Sequence, residues 1–114
     1  MTALTLAAAQ TTSIAGDVPG NIQGHLRFMQ AAAEQGVQLL VFPELSLTGY
    51  EPALAAQLAI TPEDVLLAPL REMAQELRMT AVVGMPIRLA PGTGVFIGAL
   101  VLGADAVSYT HLTL

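Results

Sequence analysis

Glu44 stands directly after Pro43, at the end of the apolar run Val37-Gln38-Leu39-Leu40-Val41-Phe42. A carboxylate in that place suits general-base work, because ligands of open α/β sheets bind beyond the carboxyl ends of the strands. Ser46, Thr48, Tyr50 and Glu51 follow within seven residues of it. No histidine and acid stand at a spacing that would make Ser46 a nucleophile, so Ser46 and Thr48 are expected to satisfy backbone groups of a loop. Tyr50 either lines a pocket or packs, and Glu51, held before Pro52, reads as a solvated or structural acid. His25 falls inside a helical pattern and is expected to make a structural hydrogen bond. Met29, Met73, Met79 and Met85 read as core fillers.

The run before Glu44 is short and bounded by Gly36 and Pro43, the pattern of a strand buried on both faces in a parallel sheet. Leu4–Gln10 reads as the strand before it. Between them, Asp17 and Pro19 mark a helix start, Ile22, Leu26, Met29 and Ala33 form one apolar stripe, and Gly36 provides the stop. The result is a β-α-β unit with parallel strands. Beyond Pro52, Ala53–Ala59 reads as a helical turn over the site. Thr61-Pro62-Glu63-Asp64 carries an N-cap and a first helical turn. Pro69 opens a helix whose buried stripe is Leu70, Met73, Ala74 and Leu77. Thr80–Gly84 and Val95–Leu102 complete the strands, with Ala90–Gly94 as a turn between them.

The composition narrows the function classes. The chain has 114 residues, enough for one small domain, and contains neither lysine nor cysteine. Disulfides, thiolate metal sites and a cysteine nucleophile are therefore absent from it. No His, Asp or Glu cluster has metal-ligand spacing, and no cofactor is implied. Gly92-Thr93-Gly94…Gly98 is not a dinucleotide loop, since a strand follows it. The net charge of −5 and the scattered Arg27, Arg71, Arg78 and Arg88 argue against a nucleic-acid partner. No run reaches the length of a membrane span, nor has the start a signal peptide requires, so the expected location is cytoplasmic. Charged residues make up 11% of the chain, against about 25% in ordinary domains, which implies apolar surface meant to be covered by something else.

Phe42-Pro43-Glu44-Leu45-Ser46-Leu47-Thr48-Gly49-Tyr50-Glu51-Pro52, preceded by Gly36–Val41, resembles the first catalytic motif of the nitrilase superfamily, the carbon–nitrogen hydrolases. The resemblance runs from about Leu4 to about Gly103. It takes in Ala9-Gln10, the Gly16-Asp17…Asn21…His25 spacing and Ala81–Pro86. It implies an α/β fold: the N-terminal part of a four-layer α-β-β-α sandwich, incomplete, with its second sheet missing or nearly so. It also implies hydrolysis of a non-peptide carbon–nitrogen bond, amide or carbamoyl ahead of nitrile, by a Glu-Lys-Cys triad. Glu44 matches the glutamate; the lysine and cysteine have no counterpart here. The chain as written is thus expected to be inactive. The full-length parent would act on a small amide-like molecule and form a homo-oligomer, with no nucleic-acid or membrane partner. A non-catalytic module that pairs with a full-length relative is the alternative. An unrelated nucleotide-binding domain would need a phosphate loop after the first strand, where Gly16 stands alone.

Val107–Leu114 resembles the translation of a transposon-derived sequencing adapter, and no lysine follows Tyr109. On that reading residues 1–106 are a partial carbon–nitrogen hydrolase domain and residues 107–114 are a non-native tail, in which His111 has no role.

Overall fold

Asp17 caps the first helix as its position requires: its carboxylate accepts the Gly20 N–H at 3.1 Å, and Pro19 occupies the first turn of α1 (Val18–Glu34). Gly36, at φ 78°, reverses the chain just past the helix. These features belong to a computed structural model, which describes residues 3–105 throughout and the backbone of 108–113. Ala106, Val107 and Leu114 lie outside the described residues, as do the side chains of Tyr109 and His111.

One five-stranded sheet forms the frame, with strands in chain order: β1 (Leu6–Ala8), β2 (Leu39–Val41), β3 (Thr80–Ile87), β4 (Phe96–Leu102) and β5 (Ser108–Thr113). β1, β2 and β3 are parallel, while β4 and β5 alternate antiparallel. The helix α1 makes the crossover between β1 and β2. Two short turns of helix, Pro52–Leu54 and α2 (Ala55–Leu58), lead away from the Glu44 segment; α3 (Ala68–Leu77) then precedes β3. Pro69 sits in the first turn of α3, as expected.

Residues 108–113, expected only as a tail, pair with β4 as β5, and sequence and structure part at three further places. Thr61-Pro62-Glu63-Asp64 does not begin a helix; Asp64 instead caps the single turn Val65–Leu67, its carboxylate accepting the Leu66 N–H at 2.9 Å. The acid closest to the turn wins, and the Arg71 guanidinium holds the preceding loop by donating to the Pro62 carbonyl at 2.8 Å. β3 continues past Gly84 to Ile87, through Pro86. A proline normally interrupts a ladder, but the Pro86 carbonyl accepts from Ile60 N–H at 3.2 Å, on the side away from β4. The missing N–H faces that same side, so pairing with β4 loses nothing. Lastly, β2 is buried on one face only: Leu40 is 2% exposed and Val41 38%.

That asymmetry runs across the sheet. Leu40, Ala81, Val83, Met85, Ile87, Leu100 and Leu102 point toward the helices and form the core with Ile22, Met29, Leu67, Leu70, Ala74 and Met79. Three of the four methionines read as core fillers are fully buried, and Met73 packs against them half-buried. The opposite face carries Leu6, Ala8, Leu39, Val41, Val82, Ile97, Ala99 and Val101, and among the described residues neither α1 nor α3 packs on it. Leu6 is 63% exposed. This face accounts for the scarcity of charge in the sequence. An apolar sheet surface in water drives association, so the isolated chain is expected to sediment as dimers or larger species at micromolar concentration. A monodisperse monomer that unfolds cooperatively would contradict that expectation.

Candidate functional site

The Glu44 turn takes over where β2 ends. Phe42 N–H donates to the Val82 carbonyl at 2.9 Å, and Leu47 N–H donates to the Gly84 carbonyl at 2.9 Å, so the turn replaces β2 as the partner of β3. Between these two bonds the chain bulges onto the uncovered face, above Gly84. No side chain fits at that glycine. A Cβ there would lie 2.8 Å from the Pro43 carbonyl oxygen, 2.9 Å from the Glu44 carbonyl carbon and closer still to the Leu45 nitrogen. The turn also holds Leu45 at φ 53°, a left-handed conformation that costs a non-glycine residue on the order of 1–2 kcal/mol. Such strain persists only where the surroundings enforce it.

They do so from the helix side. Ser46 is 1% exposed. Its hydroxyl accepts the Gly84 N–H at 3.1 Å and meets His25 Nε2 at 2.8 Å. His25 Nδ1 lies 2.7 Å from the Asn21 carbonyl oxygen, which can only accept. Nδ1 therefore carries the proton, and Nε2 accepts the Ser46 hydroxyl. The Asn21 amide donates to the carbonyls of Leu47 and Ile14, both at 2.9 Å, and Ser13 donates to the Ser46 carbonyl at 2.6 Å. The imidazole stacks on Phe42 with ring centroids 4.1 Å apart. Thr48 donates to the Gly49 carbonyl at 2.8 Å. Ser46 and Thr48 thus serve the loop, as expected, and Ser46 is too deeply buried to attack a substrate.

Burial holds the His25 imidazole below its ordinary value of 6.5, against the opposing effect of the Asn21 hydrogen bond. The unfolded chain takes up this proton first as pH falls. Stability is therefore full above about pH 6.5 and is lost as pH drops from there through the lowered folded-state value. Urea midpoints measured from pH 7.5 down to 5 are expected to fall, and His25→Gln is expected to remove the part of the decline that begins near 6.5. An unchanged profile in that variant would refute the assignment.

On the other side of the sheet, Glu44 is exposed but not isolated. It lies just past the carboxyl end of β2, beside Gly84 in the middle of β3, and lines a recess of about 230 Å³ with Val41, Pro43, Val82, Gly84, Ile97 and Ala99. The recess opens on the uncovered sheet face. Tyr50 is 72% exposed and lines a separate recess with Leu45 and Pro52. Glu51 is half-buried. Among the described residues no group of three His, Asp or Glu could hold a metal ion, and no helix is long and apolar enough to cross a membrane.

The sequence profile of the carbon-nitrogen hydrolases matches residues 5–108. The chain belongs to the carbon-nitrogen hydrolase family. Among solved structures, NitN amidase from Nesterenkonia sp. AN1 superposes with TM-score 0.79 at 27% identity, over 98% of this chain and 45% of that one. A variant of the Nesterenkonia amidase in complex with butyramide gives TM-score 0.80 at 26% identity, over 96% of this chain and 42% of that one. A carbon-nitrogen hydrolase superfamily protein from Xanthomonas campestris, with an arsenic adduct in its active site, shares the fold: TM-score 0.84 at 20% identity, over 98% of this chain and 41% of that one. Glutamine-dependent NAD(+) synthetase of Thermotoga maritima is 40% identical over 52 residues, which are 46% of this chain and 9% of that protein. This hydrolase-family chain thus spans less than half the length of the solved relatives it matches, and it forms a partial nitrilase-type domain.

The network His25–Ser46–Gly84 was the part that sequence reading missed. Its signal was present: Asn21 and His25 are four residues apart, on one face of a helix. What the spacing could not show is that this face meets the Glu44 turn.

Proposed function

We propose that Glu44 is the general base of a hydrolase of non-peptide carbon–nitrogen bonds, acting on a small amide-like or carbamoyl compound ahead of a nitrile. The observation that carries this reading is the placement of Glu44: a strained, braced turn just past the carboxyl end of β2 holds it at a recess on the sheet. The amidase neighbours support the substrate class.

In this reading a cysteine and a lysine outside the 114 residues complete the chemistry. With an amide or carbamoyl substrate, Glu44 takes the thiol proton, the thiolate attacks the carbonyl carbon, and the lysine stabilises the tetrahedral oxyanion. The protonated Glu44 passes that proton to the leaving nitrogen, ammonia or an amine departs, and water, deprotonated by the regenerated carboxylate, hydrolyses the thioester. The chain as written holds one member of the three and is inactive. The parent works in the cytoplasm as a homo-oligomer, residues 1–106 are its partial domain, and residues 107–114 are not native.

The test is in two stages. The purified chain, offered butyramide or acrylamide, should release no more ammonia than its Glu44→Gln variant. Sequencing the locus through and beyond codon 107 should reveal a frame that continues to a lysine and then a cysteine. A frame that encodes Val107–Leu114 and stops would instead favour a non-catalytic module pairing with a full-length relative, a reading supported by the uncovered sheet face.

A further inference from the structure

The Glu44 turn is fastened on one side of the sheet and presents its carboxylate on the other. Among its fastenings, one buried hydroxyl joins the turn to both β3 and α1. Ser46 Oγ sits between the Gly84 N–H of β3 and His25 Nε2 of α1, at 3.1 and 2.8 Å. His25 is itself fixed three ways: 3% exposed, hydrogen-bonded to Asn21 at 2.7 Å, and stacked on Phe42. Phe42 and Ser46 lie two residues on either side of Glu44, and the same imidazole touches both. Leu45, the left-handed residue, lies between Glu44 and Ser46. Release of Ser46 would let Leu45 relax, and the adjacent Glu44 backbone would rotate with it.

We propose that His25 is a positioning residue for Glu44, acting through Ser46: its neutral Nε2 accepts the Ser46 hydroxyl, keeps Leu45 left-handed and so sets where the carboxylate points. His25 has no route to substrate, since the turn and the sheet stand between it and the recess. The proposal rests on Glu44 being the working carboxylate, but its test does not require turnover.

The chain itself is labelled with 13C-glutamate, and the Glu44 signal is assigned by its loss in Glu44→Gln. His25→Leu and Ser46→Ala are expected to shift or split the Glu44 side-chain signal. They should also raise amide hydrogen exchange at least tenfold in 42–48, with 96–102 unchanged. His25→Gln, whose side-chain oxygen can accept the same hydroxyl, and Ser46→Thr, which keeps one, should restore a single Glu44 signal and slow exchange.

Three results would overturn the proposal. One is a Glu44 signal unmoved in both deleting variants. Another is exchange that rises equally in all segments, which would mark a role in the fold alone. The third is failure of both conservative variants to restore the signal. Lack of hydrolysis by the completed frame would remove the catalytic reading and leave these measurements standing.

Discussion

Glu44→Gln, in a full-length enzyme carrying this domain, is expected to lower kcat/KM for amide hydrolysis by about 10²–10⁴-fold. Glutamine has nearly the same shape and leaves the turn as it is, because none of the hydrogen bonds that brace Pro43–Thr48 uses the Glu44 side chain. In the proposed mechanism, what is lost is the base. A free thiol titrates near about 8.5, so only a few per cent of it is thiolate at neutral pH, and its attack then depends on the proton being taken away. The variant's residual rate should therefore climb with pH toward the thiol's own titration, while the parent's rate should already be on its plateau at pH 7. Ammonia release followed from pH 6 to 9 separates the two. A variant retaining more than a tenth of the parent's rate at pH 7 would remove Glu44 from the mechanism.

Gly84→Ala is expected to destabilise the chain by about 3 kcal/mol, the upper part of the usual range for overpacking, and to lower Tm by roughly 10 °C. The added methyl would meet main-chain atoms of Pro43, Glu44 and Leu45, which have no rotamer to escape into. Either the turn lifts off β3, losing the bonds from Gly84 to Ser46 and Leu47, or the sheet distorts. Gly94→Ala is the control: a Cβ at that turn position meets nothing within 4 Å. Thermal melts by circular dichroism of the two variants should differ clearly. If Gly84→Ala melts within 2 °C of the unaltered chain, the close approach of turn and strand does not hold in solution.

The elements that were readable from sequence are those whose determinants are local. Asp17, Pro19 and Gly36 bracket α1, Pro69 opens α3, and the stripes Ile22/Met29 and Leu70/Ala74 do turn inward. The position of Glu44 just past β2 was legible as well, because it follows an apolar run and a proline. The misreadings have non-local causes. β2 looked buried on both faces because Leu39 and Val41 are as apolar as Leu40, yet among the described residues Val41 stays exposed and Leu39 only half-buried. β3 outran its expected end at Gly84 because the side of Pro86 that lacks an N–H faces Ile60, more than twenty residues earlier, and not β4. His25 was expected to make a structural hydrogen bond and it does. That its partner is Ser46, beside the candidate base, depends on how α1 docks against β2 and could not be read from either segment alone.

Strand order that follows chain order, β1 to β5, also bears on how quickly the sheet assembles. Each strand joins the one made just before it, so no segment need wait for a distant stretch to thread between its neighbours. The β3–β4 hairpin, closed by the short connection 88–95, can zip on the microsecond scale on which hairpins form, ahead of the slower docking of α1 across β1 and β2. The bed on which the Glu44 turn rests would then exist before the turn arrives, and the left-handed Leu45 would be fixed last, in the step that seats His25 against Phe42.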